Sequence, residues 1–393
     1  MLTVHPFTLP LRDPFRISHA SRTEQPTLIV KITDPKTGLS GLGEAPMTSY
    51  YGLDSEVCHR ALLALKPLIN DFIAQLSSQD QPLPSDGVGT MDGLKSPAAL
   101  AHNEPCYFAS QNKKITELPL SLKLLTQKIE SLHQLLDINA PALHPFLRCA
   151  LDVALHDLEA KKLGRRLNRC WNQPEPDRRV PTCYTIGLGS VEEMKAKIKN
   201  FPWPVYKIKL GTEDDLATIR ALREVTDSPF RVDANTGWTA AQTLAYAPEL
   251  TELGVEFIEQ PLKVDDLAGQ RLLFKESPLP ILADESCQTL EDVDKCAGMF
   301  HGINVKVVKC GGLLKARKMI ARAREFKLSI MAGCMTESSV GISAIAQLVP
   351  ELDYVDIDGA LLLAEDPAEG VTFDQEGIVQ YPDRPGTGAV LRG

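Results

Sequence analysis

The middle of the chain constrains the fold most. Five apolar stretches there each close on a charged residue: VYKIKLG (205–211), FRVDAN (230–235), VEFIEQP (255–261), PILADES (280–286) and INVKVVKCGG (303–312). The charged residues are Lys207 and Lys209, Asp233, Glu259, Asp284 and Lys306, and the steps from Lys209 onward are 24, 26, 25 and 22 residues. A strand, a loop and a returning helix take about 25–30 residues, so each step is one β/α unit. Consecutive units of this kind form an open parallel sheet or close into a barrel. A barrel brings the C-terminal ends of all its strands to one mouth, where three carboxylates would meet with lysines on either side. An open sheet would spread the same residues along a line, and their joint chemistry would make little sense.

Three acidic groups at one point cannot all stay ionised without a cation. The matching positions hold no His or Cys, so the donors are all carboxylate oxygens. A hard ion is expected, Mg²⁺ before Mn²⁺. Lysines beside such an ion suit removal of a proton next to a carboxylate, with a lysine whose pKa is lowered by nearby positive charge acting as base.

The KIK pair, the Asp of VDAN, the Glu of IEQP, the Asp of ADES and the Lys of NVK, in that order, resemble the enolase superfamily. The subgroup is that of muconate lactonising enzymes and dipeptide epimerases. The likeness runs from PFRISHASRT (14–23) and GLGEAP (41–46) to the C-terminal glycines. It implies a modified TIM barrel, (β/α)7β, under an α+β capping domain. The expected division is a cap over 1–125 completed by the tail 366–393, and a barrel over 126–365. It implies metal ligands Asp233, Glu259 and Asp284, with one Mg²⁺ per subunit. Lys209 and Lys306 are the proton-transfer groups. Facing each other across the metal, one takes the α-proton and the other returns it to the opposite face through a metal-stabilised enediolate. Lys207, two residues from Lys209, shares its strand face; it is expected to lower the pKa of the base by like-charge repulsion and to help neutralise the substrate carboxylate. Lys309, three past Lys306, falls off the face that Lys306 takes on its own strand and reads as structural. Asn235, Gln260 and Glu285 are expected as supporting partners, Glu285 pointing away from Asp284 by strand alternation.

The eighth strand, LDYVDIDGALLL (352–363), carries Asp356 and Asp358 two apart and therefore on one side. Two carboxylates in an enclosed site face a cation or share a proton. In the resembling dipeptide epimerases such a pair binds the α-ammonium of the dipeptide. The expected reaction is inversion at the α-carbon of the C-terminal residue. The alternatives are N-acyl amino acid racemase, o-succinylbenzoate synthase or cycloisomerase, whose substrates have no ammonium for the pair to hold. The remote alternative is a non-catalytic barrel that has lost a lysine or ligand; none is missing.

In the family, the polar stretch RDPFRISHASRTEQ (12–25) is a loop over the mouth, offering Arg16, His19 and Arg22 to read substrate charge. MTSYYGLDS (47–55) is a second lid segment with Tyr50 and Tyr51, and the seventh strand (328–341) places Met335, Thr336 and Glu337 at the mouth. Residues 55–76 have helical periodicity broken by Pro67. Residues 77–119 are Ser-, Asp-, Pro- and Gly-rich without periodicity and read as a surface insertion. Amphipathic helices follow over 120–136 and 144–164. Asp152 and His156, four apart on the second, read as one packed polar contact.

Composition excludes other classes. A net charge of −9 argues against nucleic acid or an anionic membrane as partner. No apolar run reaches the ~18 residues a membrane span needs. The first residues lack a signal peptide's charged and apolar regions. Nine cysteines without paired spacing suggest reduced thiols in a cytoplasm, with Cys310 and Cys334 as packing residues. The expected partner is a small dipeptide, with a homo-oligomer possible.

Overall fold

The computed structural model describes residues 1–17, 20–79, 120–171, 179–212 and 214–393. His19 and most of the 77–119 stretch lie outside these residues. The N-terminal segment forms an antiparallel sheet of β1 (Leu2–Ile17), β2 (Ala20–Thr33) and β3 (Ser40–Pro46) in that order. The expected loop over 12–25 is instead the far end of a long hairpin: pairing shifts register between Pro10 and Phe15, then resumes as Phe15↔Arg22 and Arg16↔Ser21. Backbone pairing needs no side-chain alternation, so the polar composition concealed the strands. The periodic run 55–76 splits into helices Ser55–Ala64 and Lys66–Gln79, with Pro67 in the first turn of the second, where its missing N–H costs nothing.

Eight short parallel strands follow: β4 (Tyr184–Ile186), β5 (Tyr206–Lys209), β6 (Phe230–Asp233), β7 (Val255–Glu259), β8 (Ile281–Ala283), β9 (Gly302–Val305), β10 (Ser329–Gly333) and β11 (Tyr354–Asp356). They pair in sequence order, and the bridge Thr182↔Val355 with the Cys183 N–H bonded to Val355 O (3.1 Å) brings the last strand round to the first. Several helices between successive strands start at side-chain caps. Ser190 with Glu193 and Thr239 with Gln242 form capping boxes that satisfy the first free N–H groups. The result is the (β/α)7β barrel with a separate antiparallel cap.

Helix Pro145–Lys162 is the joint between the two. It is buried along almost its whole length, and β3 lies directly on it. A Cβ at Gly41 would stand 1.9 Å from Ala154 O, and one at Gly43 2.0 Å from Ala150 O. The glycines of GLGEAP therefore allow sheet and helix backbones to touch. Asp152 on this helix makes more than the single contact expected. It meets His133 Nε2 (2.8 Å) and His156 Nδ1 (3.2 Å), and accepts from the Leu313 N–H (2.6 Å) at the start of helix Leu313–Glu325. The C-terminal tail packs back on the cap through Ile29, Leu42, Ala368 and Ala389.

Candidate active site

Parallel register sets the site. Lys209, Asp233 and Glu259 are Cα partners across β5, β6 and β7, so three charged side chains stand side by side at one end of the barrel. Asp284 lies one residue beyond β8 and Lys306 one beyond β9. Asp233, Glu259 and Asp284 are fully buried. Among the described residues, no three acidic, His or Cys side chains are grouped tightly enough to hold a metal ion; lysine ammonium groups lie among the carboxylates. Lys209 Nζ meets Asp233 Oδ2 at 2.6 Å, and Lys306 Nζ meets Asp284 Oδ2 at 3.0 Å. Lys207 Nζ reaches Asp356 Oδ2 (2.7 Å), Glu259 Oε2 (2.6 Å) and Asp233 Oδ2 (3.3 Å). The contact to Glu259 is short but not aligned as a hydrogen bond. Asn304 Nδ2 donates to Glu259 Oε1 (2.8 Å).

These pairs decide the charge states. Burial opposes charge throughout, so the neighbours determine the outcome. Lys209 and Lys207 hold the Asp233 carboxyl below its ordinary range, and Lys306 and Lys309 do the same for Asp284. Glu259, desolvated and beside Asp233, is raised. Lys207 and Lys306 are raised too, because Asp356 and Glu259 around the first and Asp284 beside the second outweigh burial. The expected lowered lysine is thus not found at Lys306, since the attraction of Asp284 exceeds the repulsion of Lys207. Lys207 serves three carboxylates and is their counter-charge.

Asp356 and Asp358 both line the cavity, though β11 ends at Asp356 and Asp358 lies in the turn beyond it. Asp356 is lowered, its burial outweighed by Lys207, and it accepts the Cys183 thiol (3.0 Å). Asp358 accepts the Thr185 N–H (2.6 Å), and burial with Asp356 alongside pushes it up to about 7. Glu285 also faces the cavity, against expectation: β8 has ended at Ala283, so strand alternation no longer applies. Burial and Asp284 raise Glu285 to about 7. Asn235 and Gln260 brace the carboxylate row. Both have positive φ (42° and 35°); the Asn235 N–H donates to Asp233 Oδ1, and Gln260 Oε1 accepts from the N–H groups of Asp284 and Ser286.

The cavity measures about 520 Å³ and runs from these groups to the cap, lined there by Arg22, Tyr50, Tyr51, Met335 and Thr336. Arg22 donates to Thr336 Oγ1 (2.9 Å) and Gln25 Oε1 (2.5 Å), while its Nε is buried without a partner. No carboxylate pairs with it among the described residues. Arg16 is elsewhere: it pairs with Glu193 (3.5 Å) and does not line the cavity. Tyr50 is exposed, and Tyr51 lies over Lys309 (5.4 Å from ring centroid to Nζ). Glu337 is buried and turned from the cavity, accepting the Met335 N–H (2.8 Å).

Strand alternation concealed Lys309, whose Nζ is 2.7 Å from Asp284 Oδ1. Residues Val307–Cys310 form a helical turn with Lys306 as its N-cap, so positions three apart share a face. The sequence signal was KVVK itself, read with the wrong period.

Comparisons with known proteins give the family. Residues 190–393 match the family model described as Enolase C-terminal domain-like. The chain is 40% identical to the L-Ala-D/L-amino acid epimerase of Flavobacterium johnsoniae, over 99% of both chains. The solved substrate complex of the Bacillus subtilis L-Ala-D/L-Glu epimerase aligns with TM-score 0.76 and 26% identity, covering 99% of this chain and 98% of that one. The Methylococcus capsulatus dipeptide epimerase, solved with Mg and L-Arg-D-Lys, aligns with TM-score 0.73 and 30% identity over 99% of both. The chain belongs to the enolase superfamily, as an isomerase on the branch formed by the dipeptide epimerases.

Proposed function

We propose that this protein inverts the α-carbon of the C-terminal residue of a dipeptide, using Mg²⁺ and two lysines. One observation carries the reading. Lys209 and Lys306 stand at the two ends of an arc of three carboxylate-bearing strands, while Asp356 and Asp358 lie across the same cavity. In kind, three carboxylates suit a hard cation, although lysine ammonium groups stand among them here. Asp233, Glu259 and Asp284 would hold it, and Glu285 Oε2 and Asn235 Oδ1 are further buried oxygens nearby without hydrogen-bond partners. Burial first, and neighbouring negative charge after it, raises both Glu259 and Glu285, which suits a place where a cation belongs. Held by Asp233, Glu259 and Asp284, the cation would supply positive charge against the negative charge that builds on a substrate carboxylate as the α-proton leaves.

The chain's residues do the rest. Asp356 and Asp358 hold the dipeptide ammonium and so fix the N-terminal residue. Lys209 and Lys306 then face the α-carbon from opposite sides. One accepts the proton, and the other, as its ammonium, donates to the far face. Lys306, kept charged by Asp284, is set as a donor, and the reverse direction exchanges the roles. Lys207 keeps the buried carboxylates ionised and takes no proton. Arg22, lacking a carboxylate partner and facing the cavity, is the group placed to meet an acceptor on the substrate side chain; Arg16, engaged with Glu193, is not. Substrates with blocked amines, as in N-acyl amino acid racemisation, would leave Asp356 and Asp358 without a partner.

The test is α-proton exchange in D₂O with Mg²⁺ and a dipeptide panel, followed by mass spectrometry. Deuterium should enter the C-terminal residue of some dipeptides and not their N-acyl analogues. Exchange confined to N-acyl amino acids would sink the reading.

A further inference from the structure

Glu44, in the GLGEAP segment of β3, has no place in the mechanism above, yet it is a buried carboxylate accepting an unusual set of donors. Its Oε1 accepts Thr27 Oγ1–H (2.8 Å) and its Oε2 the Gly341 N–H (2.9 Å), while the Ser338 N–H approaches both oxygens (3.0 and 3.1 Å). Ser338 Oγ–H donates to Oε2 at 2.5 Å. Thr27 belongs to the cap, whereas Ser338 and Gly341 open the helix Ser339–Ala346 on the barrel. A carboxylate at a helix N-terminus is favourable, but this one comes from a chain segment 294 residues away. It is a tie between the two parts of the molecule.

What it ties is the mouth. The loop after β10 runs from Cys334 to Ser338, and its Met335 and Thr336 line the cavity. Thr336 Oγ1 accepts from Arg22 of the cap, and Arg22 in turn holds Gln25, whose amide donates to Met47 O. Thr27 and Arg22 both lie on β2. The loop is thus gripped by the cap at two points, at Thr336 inside the cavity and at Ser338 outside it. Glu44 itself does not line the cavity.

We propose that Glu44 is a positioning residue for substrate selection: from outside the cavity it fixes the loop after β10, so that Thr336 and, through it, Arg22 meet the substrate side chain in one arrangement. The proposal rests on the reading of the Arg22–Thr336 edge given above. Glu44→Gln is a useful probe because every group that bonds the carboxylate does so as a donor. An amide removes the charge that strengthens these bonds and replaces one acceptor with a further donor, which the Ser338 and Gly341 N–H groups cannot accept.

The experiment is steady-state epimerisation by the full chain with Mg²⁺ on a panel of L-Ala-L-Xaa dipeptides with acidic, polar and apolar Xaa. Wild type, E44Q, T27V and T336V are compared, with melting followed in parallel. E44Q should raise KM by about tenfold with kcat within about threefold, and flatten the ranking of dipeptides by kcat/KM. T27V, which removes one donor, should move KM the same way by less. T336V should flatten the same ranking, and the double variant E44Q/T336V should be little worse than the poorer single one, since both act on one loop. A folded E44Q that melts earlier but keeps wild-type KM and ranking overturns the proposal. If E44Q does not fold, T27V with wild-type KM and ranking does the same. An unchanged ranking in T336V removes the substrate edge on which the proposal stands. Wild type without dipeptide turnover is the failure of the function itself, seen before any variant is compared.

Discussion

At the scale of single residues, the site is a balance of buried charge, and its least obvious member is Glu337. Burial and the nearby Glu44 carboxylate push it up to about 8, against relief from the Met335 N–H and from Lys306. A carboxyl with a raised folded pKa binds its proton more tightly in the fold than in the unfolded chain. The stability it confers is complete below the unfolded value, about 4.5, and is lost as pH rises towards 8. Glu337→Gln keeps an acceptor for Met335 and carries no charge. Its Tm should therefore fall less than that of wild type between about pH 5 and pH 8.5. Parallel curves for the two proteins would mean that Glu337 is already ionised in the fold. The residues that sequence spacing picked out, Lys209, Asp233, Glu259, Asp284 and Lys306, all come to the cavity end of the barrel, because a step of about 25 residues leaves little choice but one β/α unit. Lys309 and Glu285 escaped because alternation holds only inside a strand, and both lie beyond a strand's end. Glu44 escaped because its Ser338 donor on the barrel lies 294 residues away, and no periodicity reports such a pairing.

At the scale of elements, the hairpin of β1 and β2 and the helix Pro145–Lys162 position the cap over the barrel. The hairpin's outer half was illegible because its polar residues alternate with nothing. The helix was legible, its apolar periodicity ending at Gly164, which has the positive φ (63°) that favours glycine after a helix end. The glycines of GLGEAP had no visible reason in the sequence; their reason is the helix backbone behind them. Gly43→Ala would place a methyl 2.0 Å from Ala150 O, and neither backbone can retreat without opening the joint. The variant should lose at least about 1–3 kcal/mol of stability, measured by denaturant unfolding. A loss below about 0.5 kcal/mol would show that the sheet slides over the helix freely.

At the scale of the whole molecule, a small cap covers a barrel whose chemistry sits where the two meet. Fold class was legible because eight strands in sequence order need only local connections, each with its own spacing. The completion of the cap by the tail came from the family likeness and not from spacing, since it depends on contacts between the two ends of the chain. A cation bound by three strands of the folded barrel has no such site in the unfolded chain. Mg²⁺ should therefore raise Tm in proportion to the logarithm of its concentration, and excess EDTA should reverse the rise and stop turnover. A Tm indifferent to Mg²⁺ and to EDTA would remove the metal from the account.

The central claim is that Lys209 and Lys306 serve opposite faces of one α-carbon, and the most direct measurement separates the faces. Lys209→Ala and Lys306→Ala would each be incubated in D₂O with Mg²⁺ and with either epimer of a substrate dipeptide, and deuterium at the α-carbon followed by mass spectrometry. Each variant should lose interconversion by a factor of about 10²–10⁴ or more. Each should still exchange the proton of one epimer only, and the two variants should retain opposite epimers. If both variants exchange the same epimer, or either exchanges both, the two lysines do not stand on opposite faces and the account of inversion is wrong.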